Sequence, residues 1–164
     1  MCGISEGTLF KRFGDKKTLF KGAMAYPPLD DVVETLRARV PDESAPDAVV
    51  RISKKLLSFY RVMMPRIMTI WASPQRDPRQ YLQAEESPPK RLLDEVTLFF
   101  TQHGSLRNVN HKDPQALAHL LLSAIQSVAF DEITGLASSN VNSIELSVRQ
   151  VIAAMGLHQG SCER

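Results

Sequence analysis

Cysteine is scarce in this chain of 164 residues, and long apolar runs are missing. The two cysteines, Cys2 and Cys162, lie near opposite ends. So few cysteines exclude a disulfide-rich secreted scaffold, and we expect both thiols to be reduced. Met1 is not followed by the charged and apolar segments of a secretory signal. No apolar run approaches the ~20 residues of a membrane-spanning helix. The sequence therefore predicts a cytoplasmic protein with no membrane partner.

Residue patterns that carry catalysis are also scarce. The four histidines are scattered, and none forms an i, i+4 pair with the carboxylate arrangement of a zinc enzyme. The glycines form no phosphate-binding loop, and neither cysteine is next to a histidine in sequence. A spatial pairing of cysteine with histidine stays open. We expect no enzyme, no metal site and no cofactor.

Strand-like alternation is absent, and apolar residues recur instead at spacings of three and four, which is typical of helices. The sequence predicts an all-α fold. Prolines divide it, since proline inside a helix removes a hydrogen-bond donor and clashes with the preceding turn. We expect the 15–40 segment to break at Pro27-Pro28, Pro65 to start a separate turn, and 73–89 to be irregular. The other predicted helices cover about 6–13, 47–64, 88–103, 113–136 and 141–157.

The first twenty residues resemble one half of a helix-turn-helix. Gly3 suits a turn that needs a positive φ, and Ser5 is a good N-cap. A helix over about 6–13 would end at Gly14 through a left-handed C′ residue, and Asp15 would cap the next helix. This stretch is also basic, because residues 1–24 carry five Lys or Arg against two acids. A basic end on a near-neutral body favours contact with phosphate, although a solvated charged helix face is the alternative.

The segment is similar to the signature of tetracycline-repressor-like (TetR family) transcriptional regulators. The matching run is Gly3-Ile4-Ser5-x-Gly7-Thr8-Leu9-Phe10-x-x-Phe13-x-Asp15-Lys16-x-x-Leu19-Phe20. It departs from the family at Cys2, Phe10 and Lys17, where Ala, Tyr and Glu are usual. The resemblance implies a DNA-binding domain that ends near residue 25, with Thr8 close to bases and Lys16 on a phosphate. The DNA-facing residues that we expect are Ser5, Thr8, Phe10, Lys11 and Lys16.

The family places two further helices before this turn, and the sequence begins at the turn itself. Two interpretations follow. The chain is a repressor that binds double-stranded operator DNA when those helices are present. Alternatively, it is a truncated regulatory domain that dimerises and binds ligand without binding DNA. An enzyme on an all-α scaffold ranks last.

The last two predicted helices, at about 113–136 and 141–157, are apolar over a wide arc. In the first of them Leu122, Ile125, Phe130 and Ile133 lie outside the narrow apolar stripe. A helix that is apolar on more than one side must pack against two neighbours. The second neighbour could be another part of a monomer core, whereas the family resemblance implies a two-fold homodimer built from these two helices.

The resemblance also implies that residues 26–164 form a helical domain for ligand binding and dimerisation. In such a domain a small hydrophobic effector binds among methionine and aromatic side chains and releases the operator. Methionine adapts to varied ligands, and small-molecule sites are mostly apolar. The alternative is that these side chains are ordinary core. The expected ligand-binding residues are Tyr60, Met64, Met68, Trp71, Phe99, His103 and Phe130.

Overall fold

The computed structural model describes residues 6–15, 18, 29–72, 88–103, 113–136 and 141–154. Within these ranges the chain is helical apart from caps and turns, and it contains no strand. The prediction of an all-α fold is confirmed. The helices are α1 (Glu6–Phe13), α2 (Asp30–Arg37), α3 (Ala45–Trp71), α4 (Pro88–Gln102), α5 (Pro114–Thr134) and α6 (Val141–Ala154).

The predicted bounds of α5 agree with the structure because its ends carry strong local signals. The side chain of Asp113 accepts a hydrogen bond from the Gln115 backbone N–H at 3.0 Å, and Pro114 occupies the first turn. At the other end Gly135 has φ 73°, and its N–H donates to the Asp131 and Glu132 carbonyls. A left-handed C-terminal glycine of this kind satisfies carbonyls that the helix leaves unpaired.

Helix α3 corrects two expectations. It begins at Ala45 rather than near Asp47, because Ser44 and Asp47 form a capping pair: the Asp47 N–H donates to Ser44 Oγ at 3.3 Å. It also continues through Pro65, where a separate turn was expected. Pro65 removes only the hydrogen bond to the Arg61 carbonyl. Its ring is exposed, while Met63 and Met64 just before it are buried, so packing holds the helix in one piece.

The hydrophobic core lies where α5 packs against α3 and α4, with α2 and α6 adding further apolar side chains. Helix α5 contacts α3, α4 and α6, and its buried residues lie on one broad face of the helix: Leu117, Ala118, Leu121, Leu122, Ile125 and Ala129. Leu122 and Ile125, outside the narrow stripe, are buried within this single chain, while Phe130 and Ile133 are each 37% exposed. The most fully buried large side chains are Phe99, Phe100, Ile52, Leu56, Leu92, Leu121 and Ile125.

Ion pairs fasten α2 to its neighbours. The Arg37 guanidinium donates two hydrogen bonds to the carboxylate of Glu95 in α4, at 2.5 and 2.9 Å. The Glu95 side chain is 10% exposed, and its hydrogen bond and negative charge raise the pKa of Arg37 above its usual value. Arg91 of α4 pairs with Asp30, and Lys55 of α3 pairs with Asp31. Helix α2 is thus held at both ends by charge as well as by its buried apolar face.

Within the described residues, α5 alone is long and apolar enough to cross a membrane by length and composition. The expectation that no such run exists was therefore too strict. The core helix of a soluble protein passes the same test. Helix α5 packs against three other helices, and 33% of its apolar window is buried within this chain.

The predicted boundary between domains, near residue 25, falls in the 19–28 range outside the described residues, as does the break expected at Pro27-Pro28. The division into 1–25 and 26–164 stays a prediction. The irregular segment expected over 73–89 is described only at Pro88 and Pro89, which open α4 as predicted.

Candidate functional site

Helix α1 is the candidate DNA-contacting element. It spans Glu6–Phe13, the residues that the sequence pattern assigns to it. Gly14 has φ 79°, the left-handed conformation that ends a helix and that glycine adopts without strain. Asp15 then accepts a hydrogen bond from the Thr18 backbone N–H at 2.6 Å, as an N-cap does. Both expected cap roles are confirmed.

Polar and basic residues of α1 are exposed. Thr8, Lys11 and Arg12 are accessible to solvent, together with Gly7. Lys11 and Arg12 lie in the last turn of the helix, where positive charge also stabilises the helix dipole. Their positions therefore fit either phosphate contact or simple helix stabilisation. Ser5, Lys16 and the side chain of Phe10 lie outside the described residues, so their expected roles stay predictions.

A second candidate site is a groove between the C-terminal half of α3 and the middle of α5. We call it the α3–α5 groove; its cavity has a volume of about 540 Å³. This volume falls in the range of about 300–1,000 Å³ that is typical of small-molecule sites. Its lining residues are Met64, Ile67, Met68 and Trp71 from α3, and Ser123, Gln126, Ser127 and Phe130 from α5.

The walls of the groove differ in chemistry. The α3 wall is apolar, and its exposure rises from 7% at Met64 to 39% at Met68 and 62% at Trp71. The α3 wall is therefore buried at Met64 and becomes exposed towards Trp71. The α5 wall carries two hydroxyls and one amide, with the Phe130 ring beyond them. One face of a bound molecule would meet apolar atoms while the opposite edge met neutral polar groups.

Direct contacts across α3 and α5 fix the width of the groove. The helices run antiparallel, since Arg61 pairs with Glu132 while Met64, later in α3, meets Gln126, earlier in α5. The Gln126 amide donates to Met64 Sδ at 3.8 Å, a weak hydrogen bond. Arg61 contacts Glu132 through two hydrogen bonds, at 2.7 and 2.9 Å. These bonds raise the pKa of Arg61, which burial opposes.

Four of the seven predicted ligand-binding residues, Met64, Met68, Trp71 and Phe130, come together in the groove. They do so because 64, 68 and 71 share one face of α3.

The other three predicted residues lie elsewhere. Phe99 is 2% exposed and packs edge-on to Phe100, with ring centroids 5.5 Å apart. The His103 ring stacks on Phe99 at 4.1 Å, and its Nδ1 lies 2.9 Å from the Phe99 carbonyl oxygen. Tyr60 packs against the core, where burial raises its pKa to about 12. None of the three is among the residues that line the α3–α5 groove.

The polar wall, which consists of Ser123, Gln126 and Ser127, was not predicted. A signal for them existed. They recur at spacings of three and four, in register with Phe130, on a helix that is otherwise strongly apolar. Polar residues repeated on one face of a core helix indicate a face that the core does not cover.

No cluster of three or more His, Cys, Asp or Glu side chains suited to a metal occurs among the residues that the structure describes.

No protein-family model, no curated protein and no solved structure matches the chain. Functional inference therefore depends on the chain's own residues and on the motif in its first twenty positions.

Proposed function

We propose that the chain is a TetR-like transcriptional repressor, with α1 as its DNA-reading helix and the α3–α5 groove as the site of a small hydrophobic effector. One observation carries the proposal: the helix lies over the residues that the motif requires. Gly14 also has the left-handed conformation, and Asp15 the hydrogen bond from the Thr18 N–H, that the motif predicts for these two positions. Such a protein acts in the cytoplasm, where it meets its operator.

The exposed face of α1 supplies the DNA contacts. Thr8 lies in the middle of the helix, in the position that the family resemblance places near bases. Lys11 lies one turn further on and is exposed, so its ammonium group can reach a phosphate. Ser5, Phe10 and Lys16 complete the proposed surface on the basis of the resemblance alone. Paired recognition helices would then read two half-sites of a palindromic operator.

A homodimer through α5 and α6 is part of the proposal. It is supported by Leu120 of α5 and Leu146 of α6, which are 54% and 58% exposed. Large leucines left in water on two neighbouring helices favour burial against a partner. Sedimentation velocity of the Leu146→Glu variant tests this: we expect the dimer to dissociate, and an unchanged sedimentation coefficient would contradict it.

The effector would act by linkage. The protein would have one state that binds DNA and one that does not. A ligand in the groove lowers DNA affinity only as far as it binds the second state more tightly than the first. The groove is suited to this role because α3 and α5 both belong to the main core. A change in their separation is therefore transmitted through packed side chains rather than absorbed locally.

The test begins with a duplex DNA that the protein selects from a random pool. Its affinity is measured at several salt concentrations for the natural chain and for Lys11→Ala. Loss of one phosphate contact should weaken binding and reduce the slope of log affinity against log salt by about 1. Lys90→Ala is the matched control, since Lys90 is an exposed lysine on α4. An unchanged slope for Lys11→Ala would remove α1 from the DNA interface.

The alternative function, a regulatory domain that dimerises and binds ligand without DNA, is separated by the same experiment. A chain that selects no duplex above background but still binds ligand in the groove would have this second function.

A further inference from the structure

Among the described residues, none that lines the α3–α5 groove is charged. All eight of its side chains are apolar, aromatic, hydroxyl or amide groups. The ion pair between Arg61 and Glu132, which also joins the two helices, is internally neutralised. A charged ligand would lose hydration in this groove without gaining an opposite charge, and such a loss is costly. The composition therefore favours an uncharged molecule.

The hydroxyls of the α5 wall are available to a ligand. Elsewhere in these helices, hydroxyls bond back to the carbonyl four residues earlier: Ser58 Oγ donates to Lys54 O at 3.0 Å, and Thr69 Oγ1 to Pro65 O at 2.8 Å. For Ser123 and Ser127, no described residue provides a hydrogen-bond partner to the hydroxyl. These two side chains therefore differ from the usual helix serine in having hydrogen-bonding capacity left over.

The polar groups of the α5 wall together form one polar edge of the groove. Ser123 and Ser127 are four residues apart, which is ~6 Å along the axis of a helix. The Gln126 amide lies on the same wall, and its only hydrogen bond within the described part of the chain is the weak one to Met64 Sδ. The opposite wall presents two methionine side chains and the Trp71 ring. Methionine sulfur and aromatic rings both favour contact with flat aromatic molecules.

We propose that the α3–α5 groove takes an uncharged, flat aromatic molecule with two hydroxyl or carbonyl groups along one long edge, bound by Ser123, Gln126 and Ser127. The inference specifies the effector of the proposed function and shares its assumption that the groove is the ligand site. It does not depend on DNA binding.

Two isomeric probes test the edge. Naphthalene-2,7-diol has both hydroxyls on one long edge, and naphthalene-2,6-diol has them on opposite edges. Calorimetric titration of the full chain should give a tighter complex with the 2,7 isomer, by about two- to tenfold, the value of one additional neutral hydrogen bond. Because Trp71 is the only tryptophan, its single indole N–H signal in the NMR spectrum reports whether the probe occupies the groove.

Serine variants distinguish recognition of the two edge groups from non-specific binding of aromatic molecules. Replacing both Ser123 and Ser127 with alanine should abolish the preference for the 2,7 isomer. Binding of unsubstituted naphthalene should stay unchanged. Alanine is a better helix former than serine, so the double variant should fold. Ser58→Ala is the matched control, since Ser58 is a helix serine of α3 that does not line the groove.

Each of four results would overturn the inference. The 2,6 isomer binds as tightly as the 2,7 isomer, or the double alanine variant retains the preference. The anion 6-hydroxy-2-naphthoate binds more tightly than either diol. Alternatively, the Trp71 signal shifts with protein concentration and no probe binds, which would show that a second copy covers the groove. Selective binding of the 2,7 isomer with no effect on DNA would support this inference and count against the proposed regulation.

Discussion

Phe99 and Phe130 should respond in opposite ways to the same substitution. Phe99 is 2% exposed and contacts Phe100 and His103, whereas Phe130 is 37% exposed on the wall of the groove. Truncation of a buried phenylalanine to alanine costs about 3–5 kcal/mol, because apolar contact is lost and a cavity remains. A domain of this size is stable by only about 5–15 kcal/mol, so Phe99→Ala removes a large part of its stability.

Phe130→Ala should cost about 1 kcal/mol or less, since much of the ring is already in water. Urea unfolding followed by circular dichroism at 222 nm measures both changes, and titration with naphthalene-2,7-diol measures binding. We expect Phe130→Ala to weaken binding of the diol at least threefold, with almost no change in the urea concentration at the unfolding midpoint. If Phe99→Ala instead keeps the unfolding midpoint of the natural chain but no longer binds the diol, the assignment of Phe99 to the core and of Phe130 to the groove is wrong.

Three further predictions concern stability. The pKa of Tyr60 is raised to about 12 in the native state, against about 10 unfolded, so the native state keeps the proton that the unfolded chain loses. Stability from this group should be constant below pH 10 and fall by about 2–3 kcal/mol towards pH 12; a Tyr60→Phe variant that shows the same fall would refute this. Ser44→Ala should cost about 1 kcal/mol through loss of the α3 cap, and Ser58→Ala clearly less, by urea unfolding. Gly135→Ala should cost about 1 kcal/mol because φ is 73°, although no atom lies within 4 Å of the new methyl; a neutral result by thermal unfolding would contradict that strain.

Elements fixed by local chemistry were predicted well. The bounds of α1 followed from Gly14, and those of α5 from Asp113, because caps act through neighbouring backbone groups. The start of α3 was missed at Ser44, whose capping partner Asp47 was taken as the first helical residue. Pro65 misled for a different reason: tertiary packing of Met63 and Met64 outweighs the local preference of proline, which sequence alone does not show.

The groove was predicted only in part because it depends on how two distant helices meet. The α3 side is a face of one helix, so Met64, Met68 and Trp71 could be grouped from spacing. Which residues of α5 lie opposite depends on the antiparallel register that Arg61 and Glu132 report, and this register leaves no local trace. The same limit applies to Phe99, which lies in the core and not among the lining residues of the groove, since an aromatic residue at helical spacing fits a groove or a core equally well.

The most direct test of the account measures the affinity of the full chain for its selected DNA duplex with and without saturating naphthalene-2,7-diol. If a ligand in the α3–α5 groove controls the DNA-reading helix α1, the diol lowers DNA affinity by some factor. Saturating DNA must then lower diol affinity by the same factor, because coupling between two sites is reciprocal. DNA affinity that stays the same while the diol occupies the groove would contradict the account.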